Sequence, residues 1–91
     1  MTKRLYSDDQ EIEELHRLEF TREMAYSRDF TIPITQRIER LLSFKRRLEG
    51  HLFYAMGTDL EIMYKSRYAA VSIQKHSLKF DLKMRIAKCP L

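Results

Sequence analysis

Apolar residues recur with helical spacing over Ile34, Ile38, Leu41, Leu42 and Leu48, then alternate over Leu78, Phe80, Leu82, Met84 and Ile86. Spacings of three and four gather side chains on one face of a helix, whereas alternation gathers them on one face of a strand. The change of period predicts an α+β domain, with two N-terminal helices packed on a small, mostly antiparallel C-terminal sheet.

The first helix is expected over about residues 8–28. Asp8 or Asp9 would cap its orphan N–H groups, and Glu11, Glu13 and Glu14 would sit at its positive end. Ile12, Leu15, Leu18, Ala25 and Tyr26 share one side of its wheel, while Phe20 and Met24 form an i, i+4 pair displaced toward Glu13 and Arg17. That pair reads either as part of a wide buried face or as an anchor for a partner. A second helix is expected over residues 33–49, opened by Pro33 and stopped by Gly50.

Residues 51–87 read as strand-rich, with strands at 52–56 and 60–65 around a Gly57-Thr58-Asp59 turn, another at 68–73, and a turn at 74–77 leading into the alternating segment. A competing reading has Asp59 cap a helix running through Met63, Tyr64, Arg67 and Val71. Lys79, Asp81, Lys83 and Arg85 would occupy the solvent face of the last strand. The outline of helices followed by strands is similar to that of the histone-like HU proteins, but the Gly- and Arg-rich β-arm of that family has no counterpart here.

Ninety-one residues, 44% hydrophobic and 33% charged, with two Gly and two Pro, make one small domain with a thin stability margin. The longest uncharged stretch, Gly50 to Thr58, is too short to span a membrane. The first residues lack the apolar core of a secretory signal, and Cys89 has no disulfide partner, so a cytoplasmic setting is expected. His16, His51, His76 and Cys89 show no paired metal-ligand spacing, so no metal or other cofactor is expected. Without a nucleophile elbow or a Gly-rich phosphate loop, catalysis is not expected either.

Charge changes the picture in one respect. Residues 1–30 carry five basic and eight acidic groups, whereas residues 31–91 carry twelve and five. The leading expectation is a non-enzymatic protein-binding module, a regulator, inhibitor or accessory subunit, since Tyr, Phe, Met and Arg are enriched at interface centres. Its expected anchors are Phe20 and Met24, with Arg46 and Arg47 for an acidic partner surface. Self-association through an edge strand is a variant. The alternative is a weakly sequence-specific DNA or RNA binder using Arg37, Arg40, Arg46 and Arg47 with Lys79, Lys83 and Arg85.

Overall fold

Residues 61–88, where most of the sheet was expected, form a single helix. The computed structural model describes residues 2–88. They form α1 (Thr2–Ser27), α2 (Ile34–Ala55) and α3 (Glu61–Lys88), with no strand among the described residues. The α+β expectation is therefore corrected to an all-helical fold, and the described residues hold no edge strand for self-association. Cys89 and the side chains of Asp8 and Asp9 lie outside the described residues, but the backbone at Asp8 and Asp9 runs inside α1, which begins at Thr2 and not near residue 8, so neither residue caps it.

The reason lies in what alternation means on a helix. Residues i and i+2 are about 200° apart there, so an alternating run populates two opposite faces. Leu78 is buried and Leu82 packs on the core, while Phe80 and Met84 are 60% and 40% exposed on the other side. From Thr58 to Lys88 the chain has no Gly, Pro or Asn, so nothing at 74–77 enforces a turn, and Lys, Leu, Met, Arg and Ala all favour helix. The competing helical reading of residues 59–73 is the one the structure adopts.

α2 is the middle of a flat layer measuring 65 × 23 × 14 Å. Its neighbours run antiparallel to it on either side, with α3 packed against it more extensively than α1. The radius of gyration is 16.3 Å, against about 12 Å for a compact chain of this length. Among the described residues α1 meets α3 through Glu13, His16 and Phe20, near the α2–α3 turn, and α3, the longer helix, overruns the far end of α2. The core lies along α2, where Ile34, Ile38, Leu41, Phe44 and Leu48 meet Met24 of α1 and Val71 and Leu78 of α3.

Each turn is held by identifiable chemistry. At the first, Asp29 Oδ1 accepts from Thr31 N at 3.0 Å, and Pro33 precedes α2 in an extended conformation. The buried Arg37 donates from Nε to Ile32 O at 2.9 Å and from Nη1 to Ser27 O at 3.2 Å, tying the end of α1 to the start of α2.

Gly50 does not stop α2. The helix runs on to Ala55 and ends where Gly57 takes φ +82°. Thr58 Oγ1 donates to Ala55 O at 2.6 Å and accepts from Leu60 N at 3.1 Å, while Glu61 accepts from Gly57 N at 3.1 Å. Thr58, not Asp59, therefore organises the entry to α3.

The two glycines should respond oppositely to alanine. Gly50→Ala meets open space within a helix and is expected to stabilise by about 0.5 to 1 kcal/mol. Gly57→Ala forces a left-handed conformation and should cost about 1 to 2 kcal/mol. Urea denaturation of the two variants checks both signs.

Candidate protein-binding surface

Three features were candidates for function: the basic groups, a polar junction between all three helices, and the outward face of α3. Of the seven basic groups expected to act together, Arg37, Arg40 and Arg47 are engaged within the fold. Arg40 donates from Nε and Nη2 to the buried Glu23 at 2.8 and 2.9 Å and stacks 4.1 Å over the Tyr26 ring. Arg47 donates to Glu19 at 2.8 Å. Arg37 is the buried clamp of the first turn. Glu23 and Glu19 of α1 thus neutralise Arg40 and Arg47 of α2. Arg46, Lys79, Lys83 and Arg85 are exposed and make no ion pair among the described residues, with Arg46 on α2 and the other three near the end of α3.

The expected anchors on α1 sit elsewhere than at a free surface. Met24 is 5% exposed within the core, and Phe20 packs against the core with the Arg67 guanidinium 5.8 Å from its ring. The wide buried face is what this displaced pair forms.

Near the α2–α3 turn the helices share a polar junction. The His16 and His51 rings stack 3.7 Å apart and 11° from parallel, and His16 Nδ1 lies 2.9 Å from Tyr64 Oη in a hydrogen bond. Arg67 donates to Glu13 Oε2 at 3.0 Å and stacks over Tyr64 at 5.0 Å. An open cleft of about 750 Å³ adjoins this end, with Glu13, Glu14, Tyr54 and Met63 in its wall. Glu13 is already paired with Arg67, and Glu14 with Arg17. Among the described residues no three metal-ligating side chains converge.

Desolvation lowers the proton affinity of both histidines below the ordinary value of 6.5, and neighbouring positive charge lowers it further, from His51 and Arg67 on His16 and from Arg47 and Arg67 on His51. Glu19 acts in the opposite direction on both rings. A folded value below the unfolded one means that stability is complete above pH 6.5 and is lost as pH falls through the folded value, because the unfolded chain binds the protons more readily. Thermal midpoints should therefore decline below pH 6.5, and His51→Phe should flatten that decline. An unchanged slope in the variant would exclude the stacked pair as its source.

The remaining feature is the outward face of α3, opposite Tyr64, Val71 and Leu78. Ile62, Ser66, Ala69, Ile73, His76, Phe80, Met84 and Ala87 fall within an arc of about 80° at 100° per residue. All are exposed, with Ile62 at 80%, Ile73 at 69% and Phe80 at 60%. None is Asp, Glu, Lys or Arg, and Lys65 and Lys83 border the stripe. Its spacings of four and three are those of a coiled-coil seam.

Sequence reading missed this stripe because the alternating segment was assigned to a strand. The spacing of Ile62, Ile73, Phe80 and Met84 was the signal that could have found it. Comparison with known protein families, with curated proteins and with solved structures finds no match. Among the described residues no helix is long and apolar enough to cross a membrane.

Proposed function

We propose that this protein is a non-enzymatic protein-binding module, a small regulator or accessory subunit that acts by occupying a partner's surface, with the outward face of α3 as its docking surface. The observation that supports it is the uncharged stripe from Ile62 to Ala87, which leaves large apolar side chains in water on the side of α3 facing away from α2. A helix that is apolar on two opposite faces fits between two layers, and this chain supplies one of them. Exposed apolar patches rimmed by polar groups mark interaction sites.

The alternative of a DNA or RNA binder draws on less. Arg37, Arg40 and Arg47 already have partners within the fold, and Arg46 stands apart from Lys79, Lys83 and Arg85. Its mark would be affinity for labelled duplex or single strand that falls steeply with salt.

The test compares proteins retained by the wild-type chain and by an Ile73→Asp, Phe80→Asp variant of equal thermal midpoint. Partners bound by the wild type and lost by the variant support the docking face. Identical sets of bound proteins would refute it.

A further inference from the structure

The order of side-chain sizes along the α3 stripe identifies what covers it. From the N-terminal end the stripe runs large, small, small, large over Ile62, Ser66, Ala69 and Ile73, and after His76 it runs large, large, small over Phe80, Met84 and Ala87. We infer that the stripe pairs antiparallel with the same stripe of a second copy, an inference that rests on reading this face as a docking surface. With the two-fold axis between positions 74 and 75, Phe80 falls against Ala69 and Ile62 against Ala87, while Met84 comes within one residue of Ser66. Ile73 and His76 close the centre. A parallel pair would oppose Phe80 to Phe80 and Ser66 to Ser66, crowding one layer and leaving a gap in another.

Geometry and size agree with this occupant. The stripe is about 38 Å long and spans more than three heptads, enough to sustain a helical seam. With eight stripe residues a side against the roughly 20 to 30 a side of a standard interface, the contact is small, which implies a reversible dimer. The end of α3 that overruns its own α2 would lie against the supported start of α3 in the other copy, so Phe80 and Met84, 60% and 40% exposed in the monomer, gain cover.

The rim sets the response to salt. Antiparallel pairing brings Lys83 beside the Glu61–Lys65 ion pair of the second copy, so one carboxylate faces two ammonium groups. Because this rim is net positive, screening should tighten the dimer. An acidic partner helix on the same face would instead be weakened by salt.

Light scattering and sedimentation equilibrium of the full chain, at low and high salt and up to hundreds of micromolar, measure the mass directly. The expected result is a dimer dissociating in the micromolar range and tightening with salt. Phe80→Ala and Ala69→Phe should each weaken it about tenfold or more. The double variant, which exchanges the two sizes within one layer, should recover most of the loss. A monomer throughout, a dimer weakened by salt, or a double variant no better than its parents would overturn the inference. If the chain is monomeric but the Ile73→Asp, Phe80→Asp variant still loses bound proteins, self-pairing fails and the docking face stands. If that variant loses neither mass nor partners, both readings fail.

Discussion

Phe44→Ala is expected to lower stability by about 3 to 5 kcal/mol, the usual loss when a large aromatic is deleted from a packed core. Phe44 is 0% exposed at the middle of α2, and its ring also contacts the Arg47 guanidinium at 5.4 Å and the edge of His51 at a centroid distance of 6.4 Å. A flat three-helix layer has little depth in which to redistribute a cavity. Because domains of this size have only about 5 to 15 kcal/mol in total, the variant should be partly unfolded at modest temperature. At roughly 4 to 8 °C per kcal/mol, the thermal midpoint should fall by about 12 to 40 °C. Circular dichroism on heating measures this, and a loss under about 1 kcal/mol would show that Phe44 does not anchor the core.

The second large effect concerns the ion pair that joins α1 to α3. The Arg67 side chain is 8% exposed and its partner Glu13 is 24% exposed. Nη1 of Arg67 is buried without a hydrogen-bond partner, so Glu13 is the carboxylate that compensates this guanidinium. Removing it with Glu13→Ala should cost about 3 kcal/mol, because a buried charge is left uncompensated. Replacing both partners with apolar residues, Glu13→Leu with Arg67→Met, should recover that loss and reach or exceed wild-type stability, since neither charge then has to be desolvated. Urea midpoints of the single and double variants decide this. A Glu13→Ala variant as stable as the wild type would mean that water, rather than Glu13, solvates Arg67.

These predictions bear on how the layer is joined. α1 and α2 are connected by Glu23 with Arg40 and Glu19 with Arg47, whereas α1 reaches α3 through Glu13 with Arg67 and His16 with Tyr64. The charge difference between the two ends of the chain therefore contributes to internal pairing. It reads in sequence as a basic surface only if α1 is ignored. Arg37 illustrates the same limit, because its role as a clamp depends on carbonyls of Ser27 and Ile32 that only the turn brings within reach.

The sequence by itself determined that two N-terminal helices form and which face of α2 is apolar, because period and the Pro33 start agree there, but not their bounds, since α1 begins at Thr2 and α2 passes through Gly50 to Ala55. It also determined the class of the turn at Gly57-Thr58-Asp59, although the elements it joins are helices. Only the tertiary structure decided the state of the last third. An alternating apolar run is compatible with a half-buried strand or with a helix apolar on two sides, and local preference does not separate the two strongly. What separates them is the burial of Tyr64, Val71 and Leu78 along α2, which rewards the helical spacing and leaves Ile73, Phe80 and Met84 outward. The candidate surface is the complement of that burial, and so it could be seen only once the core had been placed.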